Sequence, residues 1–149
     1  MIMGIGLDVV ELSRISAIYK HWGLKFVQKI LTVQEQESMP GQAAAAAYLA
    51  SRFAAKEAAV KALGTGFSMG ISFRHIIISR GDLGKPELYF QGPALERCRM
   101  SGVDHIHVSL SHGRDTAAAV VILENSKQTA PVQPLLRQPG RNAPASDFP

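Results

Sequence analysis

Gln42-Ala43-Ala44-Ala45-Ala46-Ala47-Tyr48-Leu49-Ala50-Ser51-Arg52-Phe53-Ala54-Ala55-Lys56-Glu57-Ala58-Ala59-Val60-Lys61-Ala62-Leu63, followed by Gly64-Thr65-Gly66, is the stretch on which the fold turns. It is alanine-rich, holds no internal Gly or Pro, and places Gly64 where a left-handed C-terminal cap belongs, which predicts one helix over Gln42–Leu63. Upstream, the short apolar run Ile2–Asp8 reads as a strand ending at Asp8, and Val9–Tyr19 carries a helical pattern. Gly23 separates it from a second helical stretch, Leu24–Leu31. Downstream, Ser72–Ser79, Glu87–Phe90, His105–Ser111 and Asp115–Glu124 read as strands, with a short helix over Pro93–Met100. This order predicts an α+β fold, a largely antiparallel sheet packed against a long helix.

The chain has 149 residues, 46% of them hydrophobic, which suits one globular domain. No apolar stretch approaches the roughly 18 residues of a membrane span. Five of the eight prolines fall after Asn125, so the expected domain is 1–124 and 125–149 is a proline-rich tail expected to be disordered. The single cysteine, Cys98, excludes a disulfide framework and a multi-thiolate metal site. No basic leader precedes the first apolar run, so a cytoplasmic protein is expected.

The net charge of +4 is local. Leu12–Gln34 contains Arg14, Lys20, Lys25 and Lys29 and no acid, whereas residues 35–125 balance. Arg14, Ile18, His21, Lys25 and Lys29 form one stripe if the two helical stretches stay nearly collinear, which Gly23 interrupts. Such a stripe is either a solvated face or a surface for an acidic macromolecule, nucleic acid included.

Two carboxylates stand apart from the general surface. Asp8 ends an apolar strand, where it needs a cationic partner or caps the following helix in a capping box with Glu11. Glu57 lies mid-helix with Lys61 one turn on, in the spacing of an ordinary i,i+4 surface pair. If strand end and helix meet, Asp8 and Glu57 become hard oxygen ligands suited to Mg²⁺, with water and a phosphate-bearing substrate completing the coordination. His105, His107, Ser109 and Ser111 alternate with Ile106, Val108 and Leu110, so one strand face is a row of hydrogen-bonding groups, continued by His112 and Arg114 in the turn. Gly81–Pro86 is a glycine-containing connection with Lys85 able to reach a phosphate; it matches no nucleotide-binding fingerprint.

Taken together, Gly4-Ile5-Gly6-Leu7-Asp8-Val9-Val10-Glu11, Arg52–Ala62 with Gly64-Thr65-Gly66, Gly84-Lys85-Pro86 and His107-Val108-Ser109-Leu110-Ser111-His112 resemble the holo-[acyl-carrier-protein] synthase family, the small bacterial branch of the 4′-phosphopantetheinyl transferases. The resemblance implies that family's fold and transfer of phosphopantetheine from coenzyme A to a serine of apo acyl carrier protein, in fatty acid biosynthesis, releasing adenosine 3′,5′-bisphosphate. It implies Asp8 and Glu57 as Mg²⁺ ligands, and Glu57 and Lys61 as catalytic groups. Arg52, Lys61, Gly64, Lys85, Pro86, His107, Ser109, Ser111 and His112 are implied as coenzyme A contacts. Arg14, Ile18, Trp22, Lys25 and Lys29 would meet the acidic carrier protein, with no nucleic acid or membrane partner. The family is similar in forming homotrimers with sites between subunits. The base that takes the serine proton is either Glu57 or a metal-bound water. A Mg²⁺-dependent phosphohydrolase and a non-catalytic module that binds an acidic protein are the rival readings.

Overall fold

The computed structural model describes residues 1–127; residues 128–149, on which most of the expected tail falls, lie outside the described residues. The chain runs β1 (Ile2–Glu11), α1 (Leu12–Trp22), α2 (Leu24–Ile30), α3 (Val33–Glu37), α4 (Gln42–Leu63), a 3-10 turn (Phe73–His75), β2 (Ile76–Arg80), β3 (Pro86–Phe90), α5 (Gly92–Met100), β4 (His105–His112) and β5 (Thr116–Glu124). Among the described residues all strand pairings are antiparallel. They form two sheets rather than one, in the order β1-β5-β4 and β2-β3.

Helix α4 spans the residues expected of it and ends at Gly64, whose φ of 71° is left-handed. Alanine suits this position because it loses no side-chain entropy in a helix and lets neighbouring backbones approach. Ala45, Leu49, Ala50, Ala54, Ala55, Ala58, Ala59, Val60, Ala62 and Leu63 are all buried, so the helix is enclosed around most of its circumference. Ala117, Ala119, Val121 and Leu123 of β5 cover it from the sheet, and Ile15, Phe26, Val27 and Ile30 join the same core from α1 and α2.

Strand β1 lies closest of all. A Cβ on Gly4 would sit 2.1 Å from the Ala62 carbonyl oxygen, and one on Gly6 1.8 Å from that of Ala58. Only glycine allows this approach, because both obstacles are backbone atoms. Inward positions on β1 then run Gly4, Gly6, Asp8 and Val10, by the two-residue period of a strand.

Several boundaries differ from the sequence expectation. Val9, Val10 and Glu11 continue β1, paired with Ala118, Ala117 and Thr116, so Asp8 is mid-strand and does not cap α1. Glu11 is the N-cap and makes no side-chain capping bond. The expected strand over Ser72–Ser79 starts with a turn, because His75 Nδ1 accepts the Ser72 backbone N–H at 3.0 Å. Helix α3 was not anticipated, although Thr32 and Glu35 form a complete capping box there. Gly23, at φ 51°, bends the chain between α1 and α2, so the basic stripe is not one straight row.

The β1–α4 contact predicts that Gly6→Ala will cost about 3 kcal/mol or more, since backbone must move to admit the methyl. Gly113→Ala, whose Cβ meets nothing within 4 Å, should change the urea midpoint little.

Candidate active site

Because Asp8 follows two inward glycines, its carboxylate is delivered to α4 at the turn carrying Glu57 and Lys61. Lys61 Nζ donates to Asp8 Oδ1 at 2.7 Å and to the Leu7 carbonyl at 3.1 Å. Lys61 therefore pairs with the strand rather than with Glu57. The Asp8 side chain is 15% exposed and that of Lys61 50%, so this ion pair sits at the rim of the protein, in reach of a solute. Glu57 is half-buried, and desolvation first and the Asp8 charge second push its carboxyl above the usual carboxylate range, against the opposing pull of Lys61 and Arg14.

The Asp8 charge disfavours a second negative charge on Glu57, so a cation is favourable between them, and both are hard oxygen donors. The residues fit a divalent ion such as Mg²⁺. Among the described residues no group of three or more His, Cys, Asp or Glu is gathered, so Asp8 and Glu57 would hold it with the rest of the coordination supplied from outside the chain.

A second cluster lies toward the N-terminal end of α4, where Arg52 is about 7.5 Å along the axis from Glu57 at the helical rise. Arg52, only 6% exposed, stacks its guanidinium 3.8 Å from the Tyr48 ring centroid, and its Nε has no hydrogen-bond partner. It lines a cleft of about 480 Å³ with Arg80, Gly84, Pro86 and His112. Two guanidinium groups, Arg52 and Arg80, on the wall of one cleft suit a phosphate. Of the anticipated contacts, Arg52, Pro86 and His112 meet here. Lys85 adjoins Pro86 at the mouth of the hairpin, and Gly64 caps the far end of α4 near Lys61.

His112 is separated from its expected row. β4 continues through it, and its partner Ala117 is buried, so alternation turns His112 inward. His107, Ser109 and Ser111 instead face outward with Ile122, Val120 and Ala118, beside Ile5, Leu7 and Val9 of β1. His107 Nε2 contacts Glu124 Oε2 at 2.7 Å. Thus the anticipated contacts occupy three places: the Asp8–Glu57–Lys61 rim, the Arg52 cleft and the outer sheet face.

A third recess, of about 470 Å³, is lined by Ile18, Trp22, Lys25, Phe26, Lys29, Ile30, Phe53 and Phe73. Four of the five anticipated partner contacts meet there; Arg14 lies apart, near enough to Glu57 to act on its charge. Phe53 and Phe73 were not anticipated. Phe73 stacks on both Phe53 and Phe67, at 5.3 and 4.0 Å between centroids, which joins two segments distant in sequence. Tyr48 and Arg80 were likewise missed, and only the packing of hairpin against helix selects them.

Residues 4–121 match the family described as the 4′-phosphopantetheinyl transferase superfamily. The holo-[acyl-carrier-protein] synthase of Maridesulfovibrio salexigens is 56% identical over 124 residues, covering 83% of this chain and 99% of that protein. The crystal structure of the synthase from Neisseria meningitidis superposes with a TM-score of 0.76 at 44% identity, over 83% of this chain and 99% of that one. The synthase of Bacillus anthracis in complex with CoA (3′,5′-ADP) gives 0.71 at 37% identity, over 85% and 99%.

The raised Glu57 carboxyl sets a sign for pH dependence. A folded-state value above the unfolded one means that the folded chain holds the proton more tightly, so this group's contribution to stability falls as pH rises past the ordinary carboxylate range. Glu57→Gln should therefore gain stability relative to the parent at neutral pH, a gain that fades in acid. Millimolar Mg²⁺ should raise the melting temperature of the parent chain and leave that of Asp8→Asn/Glu57→Gln unchanged, as differential scanning calorimetry will read.

Proposed function

The chain belongs to the 4′-phosphopantetheinyl transferase superfamily, and from that membership we propose that it transfers 4′-phosphopantetheine from coenzyme A to a serine of apo acyl carrier protein, as a holo-[acyl-carrier-protein] synthase serving fatty acid biosynthesis. The observation that carries the reading is the meeting of Asp8, Glu57 and Lys61 at an accessible rim, with a phosphate-fitting cleft on the same helix. The serine hydroxyl forms a bond to the phosphorus bearing the pantetheine arm. The pyrophosphate P–O bond breaks, and adenosine 3′,5′-bisphosphate leaves.

Such a displacement needs charge neutralisation and alignment more than a covalent intermediate. Lys61 supplies a donor and a positive charge for the leaving bisphosphate. Glu57, whose burial and the Asp8 charge raise its proton affinity, is the group on this chain suited to take the serine proton. Mg²⁺ held by Asp8 and Glu57 would lend further positive charge to the phosphates. Arg52, Arg80 and His112, with Lys85 and Pro86 at the hairpin, fit the anionic end of coenzyme A. The recess between Ile18, Trp22, Phe26 and Phe73, flanked by Lys25 and Lys29, fits an amphipathic acidic helix of the carrier protein.

The scatter of the coenzyme contacts supports a site shared between subunits. Ile5, Leu7 and Val9 are 61%, 60% and 58% exposed on the outer sheet face, next to Val120 and Ile122, an apolar surface that a second copy of the chain would cover. We assign this face to a homotrimer, in which His107, Ser109 and Ser111 come close to a neighbouring subunit's Asp8–Glu57 rim. Among the described residues no helix is long and apolar enough to cross a membrane.

Apo carrier protein incubated with coenzyme A, Mg²⁺ and this chain should gain the mass of phosphopantetheine. Release of phosphate with no mass gain would instead support the phosphohydrolase reading. Asp8→Ala and Glu57→Ala should each lower kcat/KM by about a hundredfold or more while carrier binding persists. Full turnover in either would refute the assignment. Leu7→Arg should shift the sedimentation coefficient toward the monomer and lower turnover with it.

A further inference from the structure

Glu35 and Lys56 form a buried ion pair that neither the proposed chemistry nor the docking surface uses. Lys56 Nζ donates to Glu35 Oε2 at 2.6 Å, with the two side chains 0% and 1% exposed. The same Oε2 accepts the Thr32 backbone N–H at 2.7 Å, and Oε1 accepts the Ile78 backbone N–H at 3.0 Å. Lys56 Nζ also donates to the Ile30 carbonyl at 2.6 Å. Glu35's own carbonyl accepts the Tyr48 hydroxyl at 2.6 Å, and Tyr48 is the ring on which Arg52 stacks.

These bonds converge from four elements. Ile30 ends α2, the helix presenting Lys25, Phe26 and Lys29 to the recess. Thr32 starts α3. Ile78 is central in β2, the strand leading to Arg80 and the Gly84–Pro86 hairpin. Lys56 immediately precedes Glu57 on α4. One ion pair thus ties together the two substrate faces, α2 through Lys56 and β2 through Glu35, and the helix that carries the reactive rim.

Resting on the functional reading above, we propose that Glu35 and Lys56 are positioning residues that hold the carrier-protein recess and the coenzyme A cleft in fixed register on α4. Stability alone gives little reason for such a pair. Two charges removed from water lose much of what their attraction returns, and apolar residues of similar volume often support a fold equally well. Apolar side chains cannot, however, accept the Thr32 and Ile78 N–H groups or donate to Ile30, so they leave the corner and the hairpin without their shared anchor. An isosteric amide fails for a related reason. It has one acceptor oxygen where the carboxylate uses two, so Glu35→Gln must turn its NH₂ toward either the Lys56 ammonium or the Ile78 N–H.

The test compares the full-length parent, Glu35→Gln and the double variant Glu35→Leu/Lys56→Met. Steady-state transfer is assayed with coenzyme A and apo carrier protein, alongside coenzyme A binding by calorimetry and melting temperature. We expect both KM values and the coenzyme A dissociation constant to rise about tenfold while kcat stays within about threefold. The double variant should show this while still unfolding in one cooperative transition, at a lower melting temperature because the Thr32, Ile78 and Ile30 backbone groups lose their partners. Parental KM values and coenzyme A affinity in a folded double variant would overturn the proposal. Should that variant not fold, parental values in Glu35→Gln would do so equally. Transfer by the parent chain, read by mass, separates failure of this proposal from failure of the functional reading.

Discussion

The enclosure of α4 is the constraint on which the rest of the structure depends. A helix buried around most of its circumference must be made of small or apolar residues, and every polar group on it needs either a partner inside the protein or a place at an edge. The polar positions follow that rule one by one. Ser51 donates to the Ala47 carbonyl and Lys56 is neutralised by Glu35. Glu57 and Lys61 emerge where the sheet stops covering the helix. Arg52 departs from the rule in its Nε, which is buried without a hydrogen-bond partner.

The two clusters on α4 differ in electrostatic character, and the difference matches the chemistry assigned to each. The rim holds opposed charges in partial contact with solvent, where rearrangement around an incoming phosphate costs little. The cleft sets the buried Arg52 guanidinium in its wall beside the exposed Arg80, and an anion gains more from the buried group but must shed its water first. Burial lowers the proton affinity of the Arg52 guanidinium, with nearby Tyr48 and Glu35 opposing, so an anion there meets a donor incompletely compensated by the protein.

Much of this was legible in the sequence, and the limits have physical causes. The extent of α4 and its glycine cap follow from local propensity, so Gln42–Leu63 could be read without a partner in view. The alternation in His105–Ser111 was equally local. One more residue of strand was enough to misplace His112, because parity decides which face a side chain takes. Asp8 illustrates the opposite limit: its local pattern suggested a helix cap, and the pairing of Val9–Glu11 with β5 prevailed over that local preference. The Thr32–Glu35 capping box was visible in the chain, yet nothing local says that the same carboxylate reaches Lys56 and Ile78. Arg80, Tyr48 and Phe73 carried no signal, since their roles exist only once hairpin and helix have met.

The glycines of β1 have a consequence for how such a chain can change over time. Most core contacts can drift in pairs, a larger side chain on one element being offset by a smaller one opposite. At Gly4 and Gly6 the opposing atoms are the carbonyl oxygens of Ala62 and Ala58, which every amino acid carries. No substitution on the helix can make room for a side chain on the strand. These two positions have no second-site suppressor at the point of contact, and their identity is bound to the helix backbone rather than to its sequence.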